Sequence, residues 1–165
     1  MGMSSLLSSQ LLASARKRLR ATEDRTETDL RRATSDLYFS LFHRLCEALV
    51  EGLQPSDPVL PMEKEAWRRM YRMPDHAHIE KQCKDAHLSK SPRGVRLFAN
   101  QLVNFKNKRE DADYDPLARF EIHEVVNDID IVESAISGFD DCDSSSRRMF
   151  ALFVATKPRS GKANG

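Results

Sequence analysis

The sequence has little of what a β-protein needs. Its 165 residues include only six glycines and seven prolines, too few turn signals for a sandwich of short strands. Valine and isoleucine together number 13, against 32 leucines and alanines, and it is the β-branched residues that favour strands. No apolar run approaches the roughly 18 residues that a membrane span needs. These absences predict an all-α protein outside the membrane.

Cysteine is scarce too, and the beginning of the chain lacks the pattern of a signal peptide. Serines interrupt the leucine pairs at positions 6–7 and 11–12, so no continuous apolar segment forms there. The three cysteines have no CxxC spacing and are expected to be reduced thiols. We therefore expect a cytoplasmic protein.

Charge is nearly balanced over the whole chain but unevenly distributed along it. The net charge is +1, yet residues 109–143 carry two basic and twelve acidic side chains, a net charge of −10. A nucleic-acid-binding protein needs a basic face, which the remaining segments can supply, whereas residues 109–143 would repel phosphate. The favoured interpretation of this segment is a solvated acidic helix face.

Apolar periodicity predicts a succession of helices within one domain, residues 1–157, and a disordered tail over residues 158–165. The longest segment, residues 26–51, ends before Gly52 and has two adjacent apolar stripes, so it should be the central helix. Other helices are expected over residues 4–20, 61–73 and 75–86. A last short helix includes Met149, Phe150 and Phe153.

Two further helices are predicted from start signals. Ser91-Pro92 places serine at the N-cap and proline at the first helical position, and Asp115-Pro116 repeats this signal. After the second signal, the spacing between successive apolar residues alternates between four and three positions, as on one face of a helix. These residues are Ala118, Ile122, Val125, Ile129, Val132, Ile136 and Phe139. Trp67, with Met70 and Tyr71, is expected to form a satellite core under the proline-rich loop.

Two segments resemble a known family. Residues 30–35 read LRRATS and residues 38–43 read YFSLFH, similar to the "LRRAxSxxYYAxFH" helix of HEPN domains, and residues 109–116, REDADYDP, resemble the family's "RxxADYDP" segment. The resemblance covers roughly residues 10–155. It implies an antiparallel four-helix bundle with additional short helices, usually a homodimer. Members often occur in toxin–antitoxin and antiviral systems, sometimes beside a nucleotidyltransferase, and many are metal-independent ribonucleases.

The ribonucleases of this family carry an arginine followed by four to six residues and a histidine. Histidine moves the proton of the attacking 2′-hydroxyl, and arginine holds the phosphate as charge develops. Here the arginine corresponds to Arg109, but residues 113–116, where the histidine should fall, read DYDP. His123 is the next histidine in the chain. Catalysis would therefore need an atypical site around Arg109, with His43 as the candidate partner.

A structural interpretation of the same segment competes with the catalytic one. Arg109 and Asp113 are four residues apart and so share a helix face, and an acid in the last turn opposes the helix dipole unless a cation offsets it. Tyr114 can pack its ring beside them and direct its hydroxyl into the bundle. We expect Arg109, Asp113 and Tyr114 to form a polar clasp, although the same three residues would also suit a small-ligand or nucleotide pocket.

The remaining histidines form a rival cluster. His76, His78, Cys83 and His87 lie within twelve residues, and structural zinc accepts both residue types. One thiolate and a closely spaced His-x-His are atypical of such sites, so surface positions are favoured and no metal or other cofactor is expected. The pairs Arg69–His76 and Arg72–His78 also have the ribonuclease spacing, but Pro74 lies between their members, so no single helix presents them together.

Three classes of function remain from the sequence. The first is a dimeric interaction module of a bacterial defence, toxin–antitoxin or stress system, which binds protein, nucleotide or RNA. The second is a metal-independent endoribonuclease with an atypical site around Arg109. The third is a small-ligand or nucleotide sensor. The interaction module is the function we expect.

Overall fold

The computed structural model describes residues 6–20 and 25–157, and this part of the chain is all-α, as the sequence predicts. It contains seven α-helices, one 3₁₀ helix (Ala86–Lys90) and no strand. The α-helices are α1 (Leu7–Arg20), α2 (Glu27–Val50), α3 (Pro61–Tyr71), α4 (His76–Cys83), α5 (Arg93–Tyr114), α6 (Ile122–Asp140) and α7 (Ser144–Ala155). The predicted disordered tail, residues 158–165, lies outside the described residues.

Helix α2 is the central element, as its wide apolar face predicts, and contacts α1, α3, α5, α6 and α7. Thr26 and Asp29 form a capping box at its start: the Asp29 amide donates to Thr26 Oγ1 (3.3 Å) and the Thr26 amide donates to Asp29 Oδ2 (2.9 Å). Gly52, with φ +79°, follows its end, where a residue with a Cβ would be strained. The two predicted stripes are buried throughout: Leu30, Leu37, Leu41, Leu45, Ala48, Tyr38, Phe42, Cys46 and Leu49.

Neither of the two helices, α5 and α6, begins where its start signal predicts. Helix α5 begins at Arg93, so Pro92 and not Ser91 occupies the N-cap, and no side chain of the described residues caps this end. Helix α6 begins at Ile122, six residues after Pro116, because Asp115 caps a turn instead, accepting a hydrogen bond from the Leu117 amide (2.8 Å). Ala118 therefore lies in a loop and not in the apolar series of α6.

The apolar faces of the later helices meet the core largely as predicted. On α6, Val125, Ile129, Val132 and Phe139 are buried, whereas Ile122 is exposed at the helix start. Helix α5 has one buried apolar face, whose Phe98 ring stacks on that of Phe139 with centroids 4.2 Å apart. The members of this face are Val95, Phe98, Ala99, Leu102 and Phe105. No helix in the described ranges is long and apolar enough to span a bilayer.

Helix α3 differs from the other α-helices in having no buried residue. Met70 and Tyr71 pack against the edge of the core, but Trp67, which stacks on Tyr71 with ring centroids 5.1 Å apart, is 41% exposed. The expected satellite core is thus only half-formed, because the preceding loop is itself exposed and leaves the Trp67 ring facing solvent.

Helices α5 and α6 approach closely at two glycines. A Cβ atom on Gly94 would lie 2.0 Å from the carbonyl oxygen of Gly138 and 2.7 Å from Cys142 Sγ, which no packing tolerates. A Cβ atom on Gly138 would have the Gly94 Cα atom, at 4.0 Å, as its nearest neighbour from another helix within the described part of the chain, which is an ordinary contact. The crossing therefore requires glycine at position 94 but not at position 138.

This asymmetry gives a matched pair of variants. Gly94→Ala should lower the free energy of unfolding by about 2 kcal/mol or more, because the two backbones must separate. Gly138→Ala should be neutral or raise it by up to about 1 kcal/mol, since alanine is the better helix former. Denaturant unfolding measures both changes. Equal losses in the two variants would contradict the close approach of α5 and α6.

Candidate functional site

The two segments that resemble HEPN motifs touch each other through Arg31 of α2. Its guanidinium donates to the carbonyl oxygens of Ala112 (2.9 Å), Asp115 (2.9 Å) and Ala118 (2.6 Å), and it lies over the Phe120 ring at 5.4 Å. Carbonyl groups at the end of a helix have no partner within the helix, so Arg31 caps α5 from outside. It also holds residues 115–118 as a loop, which explains why α6 starts late.

Arg109, one turn before the end of α5, sits among aromatic rings. Its guanidinium carbon lies 5.3 Å from the Tyr38 ring centroid, 5.6 Å from that of Phe39 and 5.9 Å from that of Tyr114. The side chain is 13% exposed, and an NH1–Oδ2 distance of 3.5 Å pairs it with Asp113. Its Nε atom is buried and has no hydrogen-bond partner among the described residues. Stacking and one ion pair, and not a full set of hydrogen bonds, stabilise this cation.

Tyr114 differs from its expected placement. It is 75% exposed, since it is the last residue of α5 and the loop held by Arg31 follows it. Its ring covers Arg109 from the solvent side, so its hydroxyl is not directed into the bundle. Of the three residues expected in the clasp, Arg109 and Asp113 meet as an ion pair, and Tyr114 contributes its ring face.

Two histidine–tyrosine pairs extend this cluster along α2. His76 Nδ1 lies 2.6 Å from the Tyr38 hydroxyl, and its ring stacks on Phe42 with centroids 3.9 Å apart. His43 Nδ1 lies 2.7 Å from the Tyr71 hydroxyl, and its ring meets the edge of Phe42 at 5.7 Å. Each pair joins α2 to a different helix: α4 through His76 and α3 through Tyr71.

The histidine that shares its neighbours with Arg109 is therefore His76. Both side chains contact the rings of Tyr38 and Phe39. His43 also reaches Phe39, at 6.5 Å between centroids, but its hydrogen bond goes to α3. Sequence spacing placed His76 in the rival cluster, and only the packing of α4 on α2 brings it beside Arg109.

The imidazoles of this cluster are held neutral. Burial lowers the pKa of His43, and burial followed by the positive charge of Arg109 lowers the pKa of His76, with Asp75 opposing. Burial also raises the pKa of Tyr38 and that of Tyr71 well above the ordinary tyrosine value. At neutral pH both histidine–tyrosine hydrogen bonds therefore join uncharged groups.

A polar pocket of about 500 Å³ lies beside the cluster, between the start of α2 and the end of α5. We call it the α2–α5 pocket. Arg32 at its edge is exposed and has no ionic partner among the described residues, whereas the neighbouring Arg31 is engaged by carbonyl groups. The lining comprises Thr28, Arg31, Arg32, Ser35, Phe39, Ala112, Asp113 and Tyr114. Charge complementarity favours an anionic or polar ligand here.

The sequence cluster of His76, His78, Cys83 and His87 does not form a metal site in the described structure. Across residues 6–20 and 25–157, no group of three or more histidine, cysteine, aspartate and glutamate side chains is arranged to hold a metal ion. Cys83 is buried, and burial raises the pKa of its thiol to about 12, which disfavours the thiolate that ligates metals. The histidine Nδ1 atoms are engaged separately, with Tyr38 for His76, Asp75 for His78 and Asp85 for His87.

Comparison with known proteins adds no identification. No family model matches the chain, and neither a curated protein nor a solved structure matches it.

The neutral histidines predict a pH dependence of stability. An unfolded histidine takes up a proton near pH 6.5, whereas His43 and His76 in the folded chain resist protonation to lower pH. Their contribution to the free energy of unfolding should therefore be fully present above pH 6.5 and be lost as the pH drops towards their lowered pKa values.

Denaturant unfolding between about pH 7.5 and pH 5.5, above the carboxyl pKa range, measures this loss. It should be smaller in a His43→Gln, His76→Gln double variant than in the parent. His123→Gln, at an exposed position of α6, is the control and should behave like the parent. An equal loss in the double variant and the parent would show that other groups cause it.

Proposed function

We propose that this chain is a HEPN-like helical module of a bacterial defence, toxin–antitoxin or stress system, which acts as a cytoplasmic homodimer by binding a nucleotide or RNA. The observation that carries the proposal is the α2–α5 pocket, which lies where the two HEPN-like segments meet. The longest helices, α1, α2, α5 and α6, are the ones we assign to the antiparallel four-helix bundle. A protein partner such as a nucleotidyltransferase fits the same interaction role.

The chemistry of the α2–α5 pocket suits a nucleotide. The guanidinium of Arg32 is available for a phosphate group, which arginine can hold with two parallel hydrogen bonds. The ring of Tyr114 is exposed at the rim and offers a face on which a base can stack. The hydroxyls of Thr28 and Ser35 supply further polar contacts, and the Asp113 carboxylate can accept a hydrogen bond from a sugar hydroxyl.

The environment of Arg109 favours binding over catalysis. Its side chain is largely covered by three rings and paired with Asp113, so little of it is available to the phosphate of a bulky RNA. The Nδ1 atoms of His43 and His76 are both engaged by tyrosine hydroxyls. We therefore regard Arg109 as a structural cation that orients the wall of the α2–α5 pocket.

A metal-independent endoribonuclease is the second candidate, and one observation favours it. His76 lies beside Arg109, so α4 supplies the histidine that is missing after Arg109 in the sequence. In such an enzyme a neutral His76 would accept the proton of the 2′-hydroxyl, and Arg109 would stabilise the negative charge that develops on the phosphate.

Binding without cleavage distinguishes the two candidates. A fluorescent single-stranded RNA or a fluorescent adenine nucleotide should bind the purified protein in fluorescence anisotropy. Arg32→Ala should weaken binding by about 10-fold, because a 10-fold change in Kd corresponds to the free energy of one hydrogen bond from a charged donor. Arg93→Ala removes an exposed arginine at the opposite end of α5 and should leave the affinity unchanged.

The same RNA, incubated with the protein in EDTA, should remain intact on a denaturing gel. Cleavage that survives EDTA and disappears in both Arg109→Ala and His76→Ala would replace the binding module by the ribonuclease. If neither the RNA nor the nucleotide binds, the α2–α5 pocket is not a nucleotide-binding site and the proposal is wrong.

A further inference from the structure

A cavity of about 680 Å³ lies between the start of α1, the end of α2 and helix α3. We call it the α3 cavity. Leu6, Leu7 and Trp67 line it with exposed side chains, and the buried Val50 and the partly buried Tyr71 complete its apolar wall. An open cavity of this volume, with mostly apolar walls and a few polar groups, is typical of a binding site for a small molecule.

Three charged side chains of α2 and its C-cap line the α3 cavity, and two of them are engaged by other charges. Arg44 Nε donates to Asp140 Oδ1 (2.7 Å), and Arg44 NH2 lies 3.9 Å from Glu51 Oε2. From α7, Arg147 pairs with the Glu51 carboxylate, and Arg148 donates to the Glu51 carbonyl oxygen. Arg44 and Glu51 therefore belong to one ion-pair network, which joins the end of α2 to α6 and α7.

The third charged side chain, Glu47, has no ionic partner in residues 6–20 and 25–157. It is only 7% exposed. The Ser8 amide donates to Glu47 Oε1 (3.0 Å), and the Ser8 hydroxyl donates to Glu47 Oε2 (2.6 Å). The partial positive charge at the start of α1 offsets the carboxylate only in part. Because a carboxylate has about four lone-pair sites, both oxygens can accept a further hydrogen bond.

The other buried acid of the described chain shows what Glu47 lacks. Asp128 is bound by Lys108 Nζ at 2.6 and 2.7 Å, and a buried carboxylate normally has such a cationic partner because its desolvation is costly. The Glu47 charge also lies close enough to Tyr71 to contribute, after burial, to the raised pKa of that hydroxyl. Aromatic ring faces such as those of Tyr71 and Trp67 attract cations. The α3 cavity therefore favours a ligand that is cationic at one end and apolar over the rest.

We propose that the α3 cavity binds a small organic amine, a molecule with one ammonium group and an aryl or alkyl body. The ammonium group donates to the Glu47 carboxylate beside the ring of Tyr71. The body of the ligand packs against Leu7, Val50 and Trp67. The α3 cavity lies at the opposite end of α2 from the α2–α5 pocket, so this proposal holds or fails independently of nucleotide binding.

Three probes that share one apolar body separate the effect of charge from that of apolar contact. They are phenylbutylamine, phenylbutanol and phenylbutyrate, which are cationic, neutral and anionic at neutral pH. Isothermal titration calorimetry should show that the amine binds at least about 10-fold more tightly than the alcohol, because it donates a charged hydrogen bond. The carboxylate should bind most weakly, since Glu47 repels it. The amine should also change the fluorescence of Trp67, the one tryptophan of the sequence.

Two variants with matched controls locate the ammonium group. Glu47→Gln removes the charge and keeps an acceptor for Ser8, and its control Asp128→Asn does the same at the other buried acid. Leu7→Lys places a competing cation at a side chain that is 41% exposed, and its control Leu97→Lys, on α5, changes one that is 44% exposed. Both cavity variants should weaken amine binding by about 10-fold or more, whereas the controls should bind the amine like the parent. Glu47→Gln should leave the affinity for the alcohol unchanged.

Three results would overturn the proposal. The first is equal affinity of the parent for the amine and the alcohol, or binding of neither. The second is a Glu47→Gln variant that is less stable but binds the amine like the parent, which would show that Glu47 serves only to cap α1. The third is unchanged amine affinity in Leu7→Lys, which decides the matter if Glu47→Gln does not fold. Nucleotide or RNA binding by Leu7→Lys should match the parent, which keeps the two proposals distinguishable.

Discussion

The guanidinium of Arg31 is the contact on which the arrangement of the site depends. Helix α5 ends with carbonyl groups that have no partner inside the helix, and Arg31 reaches them across 81 or more residues of chain. Its hydrogen bonds to Ala112, Asp115 and Ala118 fix the end of α5 and the following loop against the start of α2. The α2–α5 pocket exists because these two helix ends are held side by side.

Other fixed cations organise charge in the most acidic part of the chain. Residues 109–143 carry a net charge of −10. On α6, Glu133 pairs with Arg16 and Asp140 with Arg44, and the buried Asp128 is bound by Lys108 at 2.6 and 2.7 Å. Arg109 is kept among aromatic rings, where its charge helps to hold His76 neutral. The fixed cations thus support the fold, and within the α2–α5 pocket Arg32 is exposed and has no ionic partner among the described residues.

Much of the fold could be predicted from local pattern, because α2, α5 and α6 have long apolar series and α2 has a capping box. The start of α6 could not, since Asp115-Pro116 is a good start signal. The turn capped by Asp115 and the hydrogen bonds from the distant Arg31 together keep residues 115–118 out of the helix. Within the site, the four-residue spacing anticipated the Arg109–Asp113 pair. The approach of His76 to Arg109 depends on how α4 packs across α2, and the exposure of Tyr114 depends on the loop held by Arg31. Neither leaves a periodic signal in the sequence.

The role of Arg31 in holding the end of α5 can be measured directly, because the adjacent Arg32 provides a matched control. Arg31→Ala removes a guanidinium that binds three carbonyl groups, and hydrogen bonds from a charged donor contribute about 1.5–3 kcal/mol each, with partial replacement by water. Arg32→Ala removes the neighbouring, exposed side chain. Denaturant unfolding should show a loss of about 2 kcal/mol or more for Arg31→Ala and less than about 0.5 kcal/mol for Arg32→Ala. Unfolding of both variants at the same denaturant concentration would contradict the role of Arg31.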